Sequence, residues 1–342
     1  MTCSDRRLRH RALPHPPRAQ LDGLPAPSGG PERAAAAAAA ARAATLADAL
    51  VLSSEGTSGG AGSSGSDNEE ESHMISREFK ECRYCQDVLD VITDEIGHMS
   101  PHNTVTALGR LAALSKRLPP PERAAVLQSG AFVAALQLLA RQLPDMSAFQ
   151  VVNALYSAAV MGAPLGKAPQ LMAAADAAVS RLAPDFNARD VCSCLYAYAL
   201  LGHARPAHGA GQLLLARAQS LLDTGGLEPR GVSMVLWAAG SLGLRHPGLC
   251  AAAARALLAG DRALLRAMSS QGAANCVWGL AKAGGGAVDG GLLDGALAAL
   301  EAHGDAAKPQ EVLNALWACT RCRHDPEQRW GALLRYCTRH AA

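Results

Sequence analysis

A single phrase returns along this chain about every forty residues, and that spacing limits what the chain can fold into. It reads MSAFQVVNALYSAAVMG at 146–162, FNARDVCSCLYAYALLG at 186–202, LEPRGVSMVLWAAGSLG at 227–243, MSSQGAANCVWGLAKAG at 268–284 and AKPQEVLNALWACTRCR at 307–323. A weaker copy, MSPHNTVTALGRLAALS, stands at 99–115. Tyr156, Tyr196, Trp237, Trp278 and Trp317 hold one position in it, at intervals of 40, 41, 41 and 39 residues. A fixed period in this range marks stacked supersecondary units, each too small to bury its apolar face alone.

Each phrase carries start and stop signals for a helix. With its first residue as position zero, position one is Ser100, Ser147, Asn187, Glu228, Ser269 or Lys308. Ser and Asn there are N-caps, because a side-chain oxygen accepts an orphan N–H of the first turn. Pro101, Pro229 and Pro309 follow, where a missing N–H costs nothing. The apolar residue before the cap (Met99, Met146, Phe186, Leu227, Met268) is placed to staple onto Val151, Val191 or Val232 and their equivalents. Gly162, Gly202, Gly243 and Gly284 share position sixteen, which predicts a left-handed cap at each helix end. The predicted helix is 187–202 and its equivalents. Between phrases, PQLMAAADAAVSRL at 169–182, GQLLLARAQSLL at 211–222 and GLLDGALAALEA at 291–302 predict a second helix per unit.

The fold this predicts is all-α: an α-solenoid, or superhelix, of about six helix–turn–helix units across residues 79–342. Val151, Leu155, Leu195, Leu236, Val277 and Leu316 form a bulky column. Ala154, Cys194, Cys276 and Ala315 sit beside them as small residues that let helices approach. The plain reading of the aromatic column is one ring per unit filling a hole between two helices. Aromatics are only 4% of the chain and β-branched alternation is almost absent, as an all-helical fold requires.

Residues 1–78 belong to another regime, with 8 Lys/Arg and 10 Asp/Glu against 24 and 20 in 79–342. A Pro- and Arg-rich start, an Ala run, the linker EGTSGGAGSSGS and an acidic stop at Asp67 to Glu71 predict disorder. Its acid-poor, Arg-bearing beginning suits an organellar transit peptide, and equally a plain unstructured tail. No stretch of 18 uncharged apolar residues is present, so no membrane span is expected.

Ten cysteines include two CxxC pairs, Cys82–Cys85 and Cys319–Cys322. A structural zinc needs four ligands together, and these pairs lie at opposite ends of the array and within predicted helices. Cysteine at Cys194, Cys276 and Cys319 reads instead as a small core residue. The run AKAGGGAVDGG at 281–291 lacks the Gly-Lys-Ser/Thr of a phosphate loop and reads as an interhelical turn. No nucleophile–base or carboxylate pair stands out. The expectation is no catalysis, no metal, no cofactor and no small-molecule substrate.

VNALYSAAVMG, MVLWAAGSLG, NCVWGLAKAG and LNALWACTRC resemble the first helix of octotricopeptide repeats, and are similar to the helical repeats of FAST-kinase-like and RAP-domain proteins. The resemblance covers 99–342. It implies paired helices in a superhelix that binds single-stranded RNA in a chloroplast or mitochondrion, supporting processing, stability, splicing or translation of organellar transcripts. RNA-processing proteins are further partners it allows. Two features depart from the family. PPPER at 119–123 only echoes its Pro-Pro-Pro-Glu-Trp signature, and no RAP domain follows the last phrase. The rival class is a HEAT- or armadillo-like scaffold that binds protein and not RNA.

Positions three, four and seven project from one side of the phrase helix. Position seven repeats Asn153, Asn275 and Asn314, which suits a structural bond to a neighbouring helix's backbone. Positions three and four vary, as a reader of bases must, making Gln150, Arg189, Asp190, Arg230, Gln271, Gln310 and Glu311 the candidate RNA-binding residues. Ordinary first-turn polarity is the competing explanation. A cation follows the phrase helix in most units, and Lys167, Arg205 and Arg245 are the candidates for a phosphate-binding rim. Dipole compensation at a helix C-terminus is the bland alternative for these.

Overall fold

The computed structural model describes residues 66–325 apart from 287, 305 and 306, all within the unit Ala40–Ala342. The Arg-rich start and its transit-peptide reading lie outside the described residues. Among the described residues there are fourteen α-helices and no strand. In chain order they are α1 (Ser66–Glu81), α2 (Cys85–Glu95), α3 (Pro101–Ser115), α4 (Pro120–Gln128), α5 (Gly130–Gln142), α6 (Ala148–Met161) and α7 (Gln170–Leu182). Then follow α8 (Ala188–Leu200), α9 (Ala210–Asp223), α10 (Pro229–Leu242), α11 (Pro247–Arg266), α12 (Ser270–Ala283), α13 (Gly290–His303) and α14 (Pro309–Cys322).

The six phrases are α3, α6, α8, α10, α12 and α14, and each of these helices packs on the next. The helices between them make a second layer, with α5 on α7, α7 on α9, α9 on α11 and α11 on α13. The predicted caps explain where the phrase helices begin. Ser100, Ser147, Asn187 and Ser269 each accept the backbone N–H three residues on. Glu228 and Lys308 make no such side-chain bond. The residues before the caps, Met99, Met146, Phe186, Leu227, Met268 and Ala307, are all buried. Polar side chains of the second layer then fix these entries. Gln142 donates to Met99 O at 2.8 Å, Arg181 to Met146 O at 3.2 Å, and Arg217 to Phe186 O at 2.8 Å.

The exits follow the glycine prediction at three of four phrases. Gly162, Gly202 and Gly243 take φ of 78°, 67° and 65°. Gly284 does not: its φ is −82°, and the left-handed turn moves one residue on, to Gly285 at φ 74°. Gly286 N–H then bonds Ala281 O at 2.9 Å. A third glycine in the row makes that shift free of a Cβ clash. In the last phrase Arg323 occupies the same left-handed position at φ 54°.

Three further expectations need correction. The proposed boundary at 78 lies inside α1, which begins at Ser66 within the predicted unstructured stretch. Ile75 and Phe79, one turn apart, are buried and give this otherwise polar helix an apolar stripe that packs on α3. Asn103, fully buried, donates to Ser72 O at 2.7 Å and Ser76 Oγ at 2.8 Å, tying the α3 cap to α1. The Cys82–Cys85 pair does not sit within one helix; it spans the turn from α1 to α2. Finally, α11 is interrupted. Gly260, Asp261 and Arg262 are left-handed, so the second-layer helix turns at the Gly-Asp pair.

Packing between phrase helices relies on small residues. Position eleven is Ser157, Ala197, Ala238, Gly279 or Ala318, all buried. Position thirteen is Ala159, Ala199, Gly240 or Ala281 in the first four of these helices. At Gly279 an added Cβ would lie 2.3 Å from Leu236 O, a backbone atom of α10. At Gly109 in α3 it would meet only Ser157 Oγ, at 4.0 Å. In urea denaturation, Gly279→Ala is expected to cost about 3 kcal/mol. Gly109→Ala is expected to gain about 0.5–1 kcal/mol from helix propensity. Equal effects at the two sites would show that close backbone approach does not set the α10–α12 packing.

Candidate nucleic-acid interface

Positions three, seven, ten and fourteen of a helix fall on one face, because successive members differ by three or four residues. In α6 these are Phe149, Asn153, Tyr156 and Val160; in α8, Arg189, Ser193, Tyr196 and Leu200. In α10 they are Arg230, Met234, Trp237 and Ser241; in α12, Gln271, Asn275, Trp278 and Lys282. In α14 they are Gln310, Asn314, Trp317 and Arg321. Stacking of the phrase helices sets these side chains in file.

The aromatic rings fill no separate holes; they meet one another. Tyr156 and Tyr196 stack with centroids 6.2 Å apart, Tyr196 and Trp237 lie at 5.4 Å, and Trp278 and Trp317 at 6.1 Å. The two tyrosines are buried, Trp237 and Trp278 are half-buried, and Trp317 is 41% exposed. The indoles therefore retain open surface, while the tyrosines keep little. Lys282 Nζ lies 4.5 Å from the Trp278 ring centroid, a cation–π contact that the sequence did not reveal. Lys282 and Arg321 share position fourteen, so α12 carries its cation inside the helix where the rim lacks one.

The structure separates the predicted residues into two groups. Those at position four fold back onto the caps. Gln150 Oε1 accepts Ser147 N–H at 3.0 Å, Asp190 Oδ2 accepts Asn187 N–H at 3.3 Å, and Glu311 Oε2 accepts Lys308 N–H at 3.0 Å. Glu311 is buried. Burial raises the Asp190 carboxyl above its usual value, against the opposing pull of the Asn187 cap and Arg189. Those at position three point outward: Arg189, Arg230 and Gln310 are exposed and Gln271 is half-buried. Gln310 Nε2 reaches Asn314 Oδ1 at 2.9 Å along the same face. Asn153 does not bond a neighbouring helix; its amide donates to Phe149 O of its own helix at 2.8 Å.

Lys167, Arg205 and Arg245 are all exposed and lie in the connections that follow α6, α8 and α10. Arg245 also borders a cleft of about 390 Å³ lined by Cys250, Leu280, Gly284, Val288 and Asp289. Nearby, buried Asp176 of α7 holds the exit from α8. It accepts Tyr198 O–H at 2.8 Å, His203 Nε2 at 2.9 Å and Ala207 N–H at 2.6 Å. His324, at the equivalent place after α14, pairs with Asp294 of α13 at 2.9 Å. These contacts join the layers.

Among the described residues, no group of three or more His, Cys, Asp or Glu side chains is placed to hold a metal ion. The chain matches no protein-family model and has no significant match to a curated protein.

The cysteines are set by burial rather than reactivity. Burial pushes the Cys192 thiol up to about 12 and also raises Cys194 and Cys276, which are fully enclosed. Native protein at mildly alkaline pH should leave all three unalkylated by iodoacetamide until urea unfolds it. The unfolded thiols ionise near 9.0 while the native ones hold their protons. Stability must therefore fall as pH rises through about 9 toward 12, where the unfolded chain binds fewer protons. Native-state labelling of Cys194, or a urea midpoint that rises over this range, would contradict that assignment.

Proposed function

We propose that the stacked units form an α-solenoid whose phrase-helix face binds single-stranded RNA without catalysis. The observation that carries this is the file of side chains across α6, α8, α10, α12 and α14. At position three it offers Arg189, Arg230, Gln271 and Gln310, groups that differ from unit to unit and hydrogen-bond to base edges or, for the arginines, to phosphate. At position ten it offers partly open indoles, on which bases stack at about 1–3 kcal/mol each. Cations follow at the C-terminal ends of the same helices, in Lys167, Arg205, Arg245, Lys282 and Arg321. Gln150, Asp190 and Glu311 serve this face indirectly, by fixing the first turn from which position three projects.

The resemblance of the phrases to octotricopeptide repeats supports an organellar RNA as ligand. It supports a chloroplast or mitochondrial setting and a role in RNA processing, stability or translation. A protein-binding scaffold is the second reading, and exposed apolar Phe149 (44%), at the α6 end of the file, favours it. Crosslinking of the tagged full chain in cells, followed by sequencing of bound RNA, separates the two. Enrichment of organellar transcripts over a control supports the first; no enriched transcript transfers the face to a protein partner.

The rim is tested in vitro by the salt dependence of RNA affinity. Each phosphate contact contributes about 0.7 to the log–log slope on a single strand. Replacing Lys167, Arg205 and Arg245 together by Gln should flatten the slope by about two while leaving helicity intact. Dipole compensation alone predicts an unchanged slope and small stability losses of about 0.3–1 kcal/mol per site.

A further inference from the structure

Resting on the RNA reading, we infer that Tyr196 and Arg230 form a subsite for one phosphodiester oxygen of the bound strand, Tyr196 giving its phenolic O–H and Arg230 its guanidinium. Among the described residues, Tyr196 Oη is one of two buried side-chain polar atoms without a hydrogen-bond partner, the other being Gln142 Oε1. A buried donor left unpaired costs about 1–3 kcal/mol. Such a group persists where something outside the free protein completes it.

The surroundings specify what that something is. Both faces of the Tyr196 ring are taken, by Tyr156 at 6.2 Å and Trp237 at 5.4 Å. The ring offers a ligand its hydroxyl, not its face. Arg230 lies two turns before Trp237 on the same side of α10, the helix that packs on α8, and it is exposed. Its positive charge is felt by the phenols of both Tyr196 and Tyr156. Burial holds the Tyr196 phenol protonated far above neutral pH, so it stays a donor.

A neutral O–H donor beside a guanidinium, which has no acceptor, matches an anionic acceptor. A phosphate oxygen satisfies both groups at once. Oη is out of contact with solvent, so the ligand oxygen reaches it as a neighbouring side chain moves aside. The units of Trp237, Trp278 and Trp317 carry no hydroxyl at this position. The file is thus asymmetric: phosphate is gripped at its tyrosine end and bases stack toward its tryptophan end.

The test uses the full chain and a fluorescent pool of random-sequence single-stranded RNA, with Tyr196→Phe, Arg230→Gln and the double variant. Tyr196→Phe should bind about tenfold more weakly, the range for a hydrogen bond to a charged group, with an unchanged salt slope. Its urea midpoint without RNA should stay level or rise, because the orphan donor is gone. Arg230→Gln should weaken binding and reduce the salt slope by about 0.7. The double variant should lose less than the product of the single losses, since both groups hold one oxygen. Wild-type binding with undiminished affinity in Tyr196→Phe overturns the subsite and leaves the RNA reading standing. Failure of the wild type to bind the pool overturns both. Should Tyr196→Phe not fold, Arg230→Gln decides, and an unchanged slope there counts against the subsite.

Discussion

The packing of α10 on α12 shows the constraint on which the rest depends. Gly240 and Gly279 face each other there, and a Cβ on Gly240 would come within 3.0 Å of the Trp278 ring. Position eleven is Ser or Ala in α6, α8, α10 and α14, while α3 carries Arg110 there. Small residues in these two columns bring successive phrase helices close, and position-ten rings meet between α6 and α8, α8 and α10, and α12 and α14. That contact turns five isolated aromatics into runs of adjoining rings and sets the polar positions beside them in file. Bulkier residues would separate the helices, and the face would become a set of unrelated side chains.

Helix capping claims part of the polarity at the start of each phrase helix. A first turn leaves orphan N–H groups that must find oxygen somewhere. The chain meets that need from positions one and four, where Ser147 and Gln150, Ser100 and Asn103, and Asn187 and Asp190 exchange hydrogen bonds. Polarity at position four is therefore structural in these units. Position three has no such duty, and Arg189, Arg230 and Gln310 are exposed there. The alpha-helical spacing that places positions three and four side by side gives them opposite roles.

The second layer holds the exits and entries of the first. Gln142, Arg181 and Arg217 bond the carbonyls just before the phrase caps, while Asp176 and Asp294 bind histidines just past two of the exits. Each such bond satisfies a backbone group or an ionisable side chain at a helix end, where the helix itself offers no partner. Polar residues of the second layer thus fix the orientation of the phrase helices.

Much of this was legible in the sequence. The period, the caps at Ser100, Ser147, Asn187 and Ser269, the buried residue before each, and three of the four glycine exits depend on contacts within one turn, so local residue types determine them. The polar face of the phrase helices was legible for the same reason. Tertiary structure decided the rest. Ile75 and Phe79 fold α1 only because α3 is there to cover them, and a glycine run has no preference among Gly284, Gly285 and Gly286 until the chain must reach α13. Which of two adjacent polar positions caps and which projects, and whether rings plug holes or meet each other, depends on the spacing between helices. That spacing is set by pairs such as Gly240 and Gly279, which lie thirty-nine residues apart in the chain and in contact only once it is folded.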